Sequence, residues 1–156
     1  MSDPSPMEIA LSEAREAASR GEVPVGALVL APDGSELARA GNAVEAAHDA
    51  SGHAELIAMR AAAARLGSSR LTGCTLVATL EPCAMCAGAC SHFRIARLIF
   101  GAYDPKGGAV QHGAALFRQP GCLHRPMVIG GVREQESAAL LRDFFAVRRG
   151  SPAAPG

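Results

Sequence analysis

Two short segments of this chain carry residue types that hold a metal ion. His53-Ala54-Glu55 supplies an imidazole and a carboxylate, and Pro82-Cys83-Ala84-Met85-Cys86 supplies two thiols. A catalytic zinc takes three protein ligands and leaves a fourth position for water. His53, Cys83 and Cys86 are therefore the candidate ligands of one Zn2+ per chain, and Glu55 is the candidate catalytic residue beside it. Two thiolates and a neutral imidazole cancel the charge of the ion, which lowers the pKa of its water to about 7. Glu55 can accept that proton and pass it to a leaving group.

The spacing also says where such residues must sit. Cys83 and Cys86 are three apart, so on a helix both sulfurs face one side. Pro82, with its preset φ and no N–H, suits the first helical turn, and a helix N-terminus favours thiolates. His53 and Glu55 are two apart and would diverge inside a helix. They can share a target only in the first turn, with Asp49 and Ser51 as plausible caps. The site is thus expected between two helix N-termini. A C-x-x-C pair by itself also fits a structural zinc clip or a redox pair. A structural site would take a fourth Cys or His, and Cys74, Cys90 and Cys122 form no second C-x-x-C.

Periodicity supplies the elements that position these groups. An amphipathic helix is expected over 7–20, a buried strand over 23–30 and a returning strand over 36–41, making a hairpin. The first metal helix covers 52–66, a strand 74–80 leads to the second metal helix at 83–91, and a further strand covers 95–100. A Gly-rich loop over 101–113, a short strand at 127–129 and a closing helix over 134–149 complete the chain. The alternation of strand and helix argues for an α/β sandwich, with its site beyond the carboxyl ends of strands. One domain over 7–150 is expected, after a disordered N-terminus of residues 1–6 and before a flexible tail at 151–156.

Composition narrows the setting. A chain of 156 residues, 49% of them apolar, can bury a real core, yet no apolar run is long enough to cross a bilayer. Met1 to Pro6 lack the basic-then-apolar layout of a signal peptide, so a cytoplasmic protein is expected. Five cysteines, two of them committed to metal, suit a reducing compartment. The formal net charge is zero, which gives no global support for a nucleic-acid partner. No organic cofactor is expected.

The pair H-x-E and P-C-x-x-C is the signature of zinc-dependent nucleobase deaminases. Over residues 7–149 the chain resembles the bacterial tRNA adenosine deaminases. The resemblance is carried by Glu22 to Ala27, His48-Asp49, His53 to Glu55, Thr79 to Ala89, Arg94-Ile95, Asp104 to Ala109 and Leu140 to Phe145. It implies a three-layer α/β/α cytidine deaminase-like fold with a central five-stranded mixed sheet. It also implies a homodimer and deamination of the wobble adenosine of an arginine tRNA to inosine. The target base would be flipped out of the anticodon loop, because a stacked base hides its C6 from the metal.

Carried over position by position, the resemblance makes Asn42 a hydrogen-bonding partner of the nucleoside and puts Asp104 at the pocket mouth. Phe144 and Phe145, beside Arg148 and Arg149, either dock into the core or stack on RNA. The chain also departs from the family. Asp49-Ala50-Ser51-Gly52 replaces a common Asp-Pro-Thr-Ala, which should loosen that loop. Ala43-Val44-Glu45 follows Asn42 without a basic residue, and Tyr103 stands at a usually charged position, where it stacks on a base or packs. Two other readings compete with tRNA deamination. One is deamination of a free nucleobase or nucleoside; the other is a non-catalytic zinc domain that would have no need of Glu55.

Overall fold

A computed structural model of the chain describes residues 3–149. The first helix, α1 (Pro6–Ser19), starts at a capping box: the Ser5 hydroxyl accepts from the Glu8 amide and the Glu8 carboxylate accepts from the Ser5 amide. Pro6 stands at the start of the helix, where its missing N–H costs nothing. Ser5 and Pro6 thus belong to α1 and its cap, where a disordered segment over 1–6 was expected; Met1, Ser2 and the expected tail at 151–156 lie outside the described residues.

Strands β1 (Gly26–Leu30) and β2 (Glu36–Gly41) form the expected hairpin, with a register irregularity between Val29 and Leu30. With β3 (Thr75–Leu80), β4 (Arg97–Ala102) and β5 (Met127–Ile129) they make one mixed sheet in the order β2-β1-β3-β4-β5. β1 runs antiparallel to β2 and β3, whereas β3, β4 and β5 run parallel.

Alternate residues of the central strands feed two cores, as the two-residue period of a strand requires. Ala27, Val29, Leu76 and Leu98 pack with Ala58 and Met59 of α3 (Ala54–Leu66) and Ala87 and Cys90 of α4 (Ala84–His92). On the opposite face Leu28 and Val77 pack with Met7, Ala10 and Leu11 of α1, and Leu140 of α5 (Glu134–Arg149) closes that layer. Each fully buried Leu or Phe in these layers contributes roughly 1.5–3 kcal/mol. α1 crosses β1 so closely that a Cβ on Gly26 would lie 1.9 Å from the Ala10 carbonyl oxygen.

Three details differ from the periodicity. Residues 23–25 leave the first strand and turn into a cavity wall. β4 starts at Arg97 because the Ile95 amide is used to end α4, donating to the Cys90 carbonyl. A four-residue helix, α2 (Val44–Ala47), and a 3-10 turn, Leu116–Arg118, are too short to leave a periodic signal. The directions of the strands bring the end of β2, the start of β1 and the ends of β3 and β4 to one edge. Asn42, Val25, Glu81 and Tyr103 follow or precede those strand ends, so the edge expected from strand polarity holds the site.

Candidate zinc site and cavity

Both metal segments open a helix, but one step earlier than the spacing suggests. Cys83 is the N-cap of α4, with extended backbone (φ −72°, ψ 176°), and Pro82 lies outside the helix instead of in its first turn. His53 is likewise the N-cap of α3. A side chain at an N-cap folds back over the helix mouth towards the third helical residue. That geometry brings Cys83 to Cys86, and it lets His53 and Glu55 face the same point.

The donor set fits zinc. His53 Nδ1 stands 3.5 Å from Cys83 Sγ and 3.7 Å from Cys86 Sγ. Tetrahedral coordination with ordinary Zn–N and Zn–S bonds needs ligand separations of about 3.6 Å for N···S and about 3.8 Å for S···S. All three ligand atoms lie within 4.8 Å of one another.

Neither His53 nor Cys83 makes a side-chain cap bond, which leaves both side chains free to hold a metal ion. Asp49 and Ser51 do not cap in their place: Asp49 Oδ1 accepts from the Ser51 amide and hydroxyl within its own turn. The cap of α3 comes from Asn42, whose Oδ1 accepts from the Ala54 amide at 2.8 Å. The loop after α2 is also held more firmly than its Gly52 suggests. The Gly52 amide donates to the Asp49 carbonyl and its own carbonyl accepts from Ala43.

The electrostatics follow from these contacts. Cys83 is held down to about 4 by the Cys86 thiol, against the upward push of burial, with the His53 ring adding to the effect. Cys86 moves upward, because its proton bridges to Cys83 and burial disfavours a second thiolate. The pair thus shares one proton that a metal ion displaces. The His53 pKa rises through its hydrogen bond to Cys83. Burial raises the Glu55 carboxyl above the ordinary carboxylate range.

His53, Glu55 and Cys83 line a cavity of about 720 Å³, and Cys86 lies buried beside them; the volume is within the ~300–1,000 Å³ typical of small-molecule sites. Asn42 and Asp104 line it as expected. Phe144 and Phe145 line it too, their rings edge to face at 5.4 Å, and neither docks into the core. Tyr103 does not line the cavity. It packs edge-on against Phe100 at 5.1 Å and lies edge-on to His112 at 6.1 Å, and 38% of its surface stays exposed.

Three further residues complete the wall: Arg148, Glu22 and Glu81. Arg148 stacks its guanidinium 4.3 Å from the Phe144 ring centroid and donates to the Gly21 carbonyl. Buried Glu22 accepts the amides of Glu45 and Ala46, fixing α2 behind Asn42. Buried Glu81 accepts from the Asp104 amide and from His112. Burial alone would raise Glu22 and Glu81, but the amides that surround them, with His112 at Glu81, hold both below the ordinary range. Glu22 and Glu81 stood inside the resembling stretches, where nothing distinguished them from their neighbours.

Residues 1–102 match the family described as the cytidine and deoxycytidylate deaminase zinc-binding region. The chain is 52% identical over 143 residues to a tRNA-specific adenosine deaminase of Agrobacterium fabrum, covering 92% of this chain and 93% of that one. It is 42% identical over 139 residues to the enzyme of the same description from Bacillus subtilis, covering 89% and 86%. A solved structure from a study of A-to-I editing by tRNA:A34 deaminases superposes with a TM-score of 0.86. It is 51% identical and covers 87% of this chain and 98% of that one. Identity of this order across nearly the whole chain, with both metal segments inside the matched region, makes the chain a member of the tRNA-specific adenosine deaminase family, built on the cytidine deaminase-like fold.

Proposed function

We propose that this protein is a zinc-dependent hydrolase that converts the wobble adenosine of an arginine tRNA to inosine. The observation that carries the reading is the His53–Cys83–Cys86 triangle, with buried Glu55, at the floor of a cavity whose wall bears two aromatic rings. Zinc held there supplies a Lewis acid that makes water a nucleophile near neutral pH. Glu55 takes a proton from the water as its oxygen bonds to C6, and returns it to the purine N1. It then takes the second proton from the new hydroxyl on C6 and passes it to the exocyclic nitrogen, so that the C6–N bond breaks, the C6 carbonyl forms and ammonia leaves. A carboxyl with a raised pKa is suited to taking and giving protons in turn.

Asn42 has one amide face committed to α3 and its NH2 group available to the nucleoside. Asp104 stands at the cavity rim, and Phe144 and Phe145 offer ring faces to the flanking bases. Among the described residues lining the cavity, Arg148 is the one arginine or lysine, beside Glu22, Glu45, Glu55, Glu81 and Asp104. Such a wall takes the uncharged base and repels phosphates, so the RNA backbone must run outside it. In this reading the protein works as a cytoplasmic homodimer. Met85, 40% exposed beside the ligand Cys86, is apolar surface that a second copy would cover. Among the described residues no helix is long and apolar enough to cross a membrane.

The test offers zinc-loaded protein an arginine-tRNA anticodon stem-loop beside free purines, pyrimidines and nucleosides, with Glu55→Ala as the blank. Inosine formed in the stem-loop alone is the expected result. Ammonia released only from a free base would overturn the substrate and leave the chemistry standing. Sedimentation of the same sample should give a dimer mass, and a monomer would remove the dimer from the reading.

A further inference from the structure

Glu81 stands two residues before the ligand Cys83, and its side chain is wholly buried. Its carboxylate collects five donors from one segment. Oε1 accepts from the Asp104 amide at 3.0 Å and lies 2.8 Å from His112 Nδ1. Oε2 accepts from the amides of Val110, Gln111 and His112 at 3.1, 2.8 and 3.1 Å. Two backbone bonds brace the same place: the Glu81 amide donates to the Ala102 carbonyl, and the Ala109 amide donates to the Pro82 carbonyl. Gly108 completes the fit, since a Cβ there would fall 2.5 Å from the Glu81 carboxyl carbon.

The segment from Asp104 to His112 therefore lies wrapped around one anion, and Asp104 and Gly107 on it line the cavity. An uncharged amide cannot take the place of that anion. Its NH2 group would face either the Asp104 amide and the His112 ring or three amides in a row, and donors set against donors repel. The arrangement links the rim of the cavity to the residue that precedes the metal ligand, across a chain separation of 23 to 31 residues.

We propose that Glu81 is a positioning residue: its carboxylate sets the distance between the 104–112 rim and the metal floor, and thereby the placement of the substrate base. The inference rests on the deaminase reading of the cavity. Glu81 neither holds the metal nor moves a proton, so its loss should act on substrate placement, where an ångström of displacement is costly.

Three variants test it: Glu81→Gln, Glu81→Asp and Gly108→Ala, each measured for zinc content, for KM and kcat on the anticodon stem-loop and for amide hydrogen exchange. Glu81→Gln should keep one zinc per chain and lose exchange protection at Asp104, Val110, Gln111 and His112. Its KM should rise about tenfold or more, with a smaller change in kcat. Glu81→Asp, which keeps both acceptor oxygens, should recover part of that protection and of the KM. Gly108→Ala should reproduce the KM rise with Glu81 intact, which secures the test should Glu81→Gln fail to fold.

Parent-like KM and protection in both Glu81→Gln and Gly108→Ala would overturn the proposal, and so would loss of zinc in a folded Glu81→Gln. A parent that deaminates only a free base would defeat the tRNA reading alone. The same KM and exchange measurements on that base would still decide the role of Glu81.

Discussion

Glu55 and Glu81 are carboxylates in the wall of one cavity, 4% and 1% exposed, and their ionisation is pushed in opposite directions. Glu55 sits in the first turn of α3, where burial outweighs its few favourable partners and the carboxyl is raised. Glu81 follows the end of β3, where four amides and an imidazole outweigh a burial cost of the same kind. Burial alone therefore does not decide what a carboxylate does; the donors around it decide. The floor of the site keeps a group able to change its proton, and the rim keeps one that stays an anion and holds backbone in place.

The largest effect is expected at the floor. Replacing Cys83 with Ala should remove the metal and all turnover. Losing a tightly bound ligand of the native state costs about 3 kcal/mol, or ~5–10 °C in Tm for a domain of this size. Metal analysis still showing one zinc per chain would break the ligand assignment. A step smaller is Glu55→Gln, which should keep zinc and a cooperative melt while turnover falls ~10³-fold. Residual turnover within tenfold of the parent would end the proton-shuttle role.

The rim can be sharpened with Glu22, the second carboxylate held below its ordinary range by amides. Its folded pKa is depressed, so its stabilisation is fully present above the unfolded value of about 4.3 and is lost as pH falls through the lower folded value. Melting of the parent and of Glu22→Gln should therefore differ most near neutral pH and converge in acid, and a gap that widened in acid would contradict the sign. The smallest effect belongs to Arg148→Ala. Removing the cation from the face of Phe144 costs about 1 kcal/mol, read as a KM for the stem-loop raised about fivefold with kcat unchanged. An unchanged KM would show that the aromatic wall stands without its clamp.

The clustering of His53, Cys83 and Cys86, with Glu55 in the same cavity wall, was legible because metal binding is local chemistry. Spacings of two and three residues near a helix start leave few arrangements, and the expected pair of helix N-termini is what the structure has. The hairpin, β3, α4 and α5 were equally legible from apolar runs and turn residues. The exact caps were not. Asp49 and Ser51 satisfied the sequence rule for α3, but the N-cap is His53 and the capping bond to the Ala54 amide comes from Asn42, twelve residues before Ala54. Tyr103 shows the same limit, since its residue type did not say that its ring would pack edge-on against Phe100.

The order of side chains carries the local chemistry: three metal donors with a carboxylate beside them, and strands and helices whose alternation places them at one sheet edge. The way the cavity around them is held open and shaped follows from tertiary contacts. Glu22 and Glu81 owe their roles to amides that meet them from 23 to 31 residues away. Phe144 and Phe145 join the wall because α5 returns over the sheet to end beside Gly21. A backbone amide has the same composition in every residue, so nothing in the order of side chains marks the ones that will turn toward a buried carboxylate. That choice belongs to the path of the folded chain.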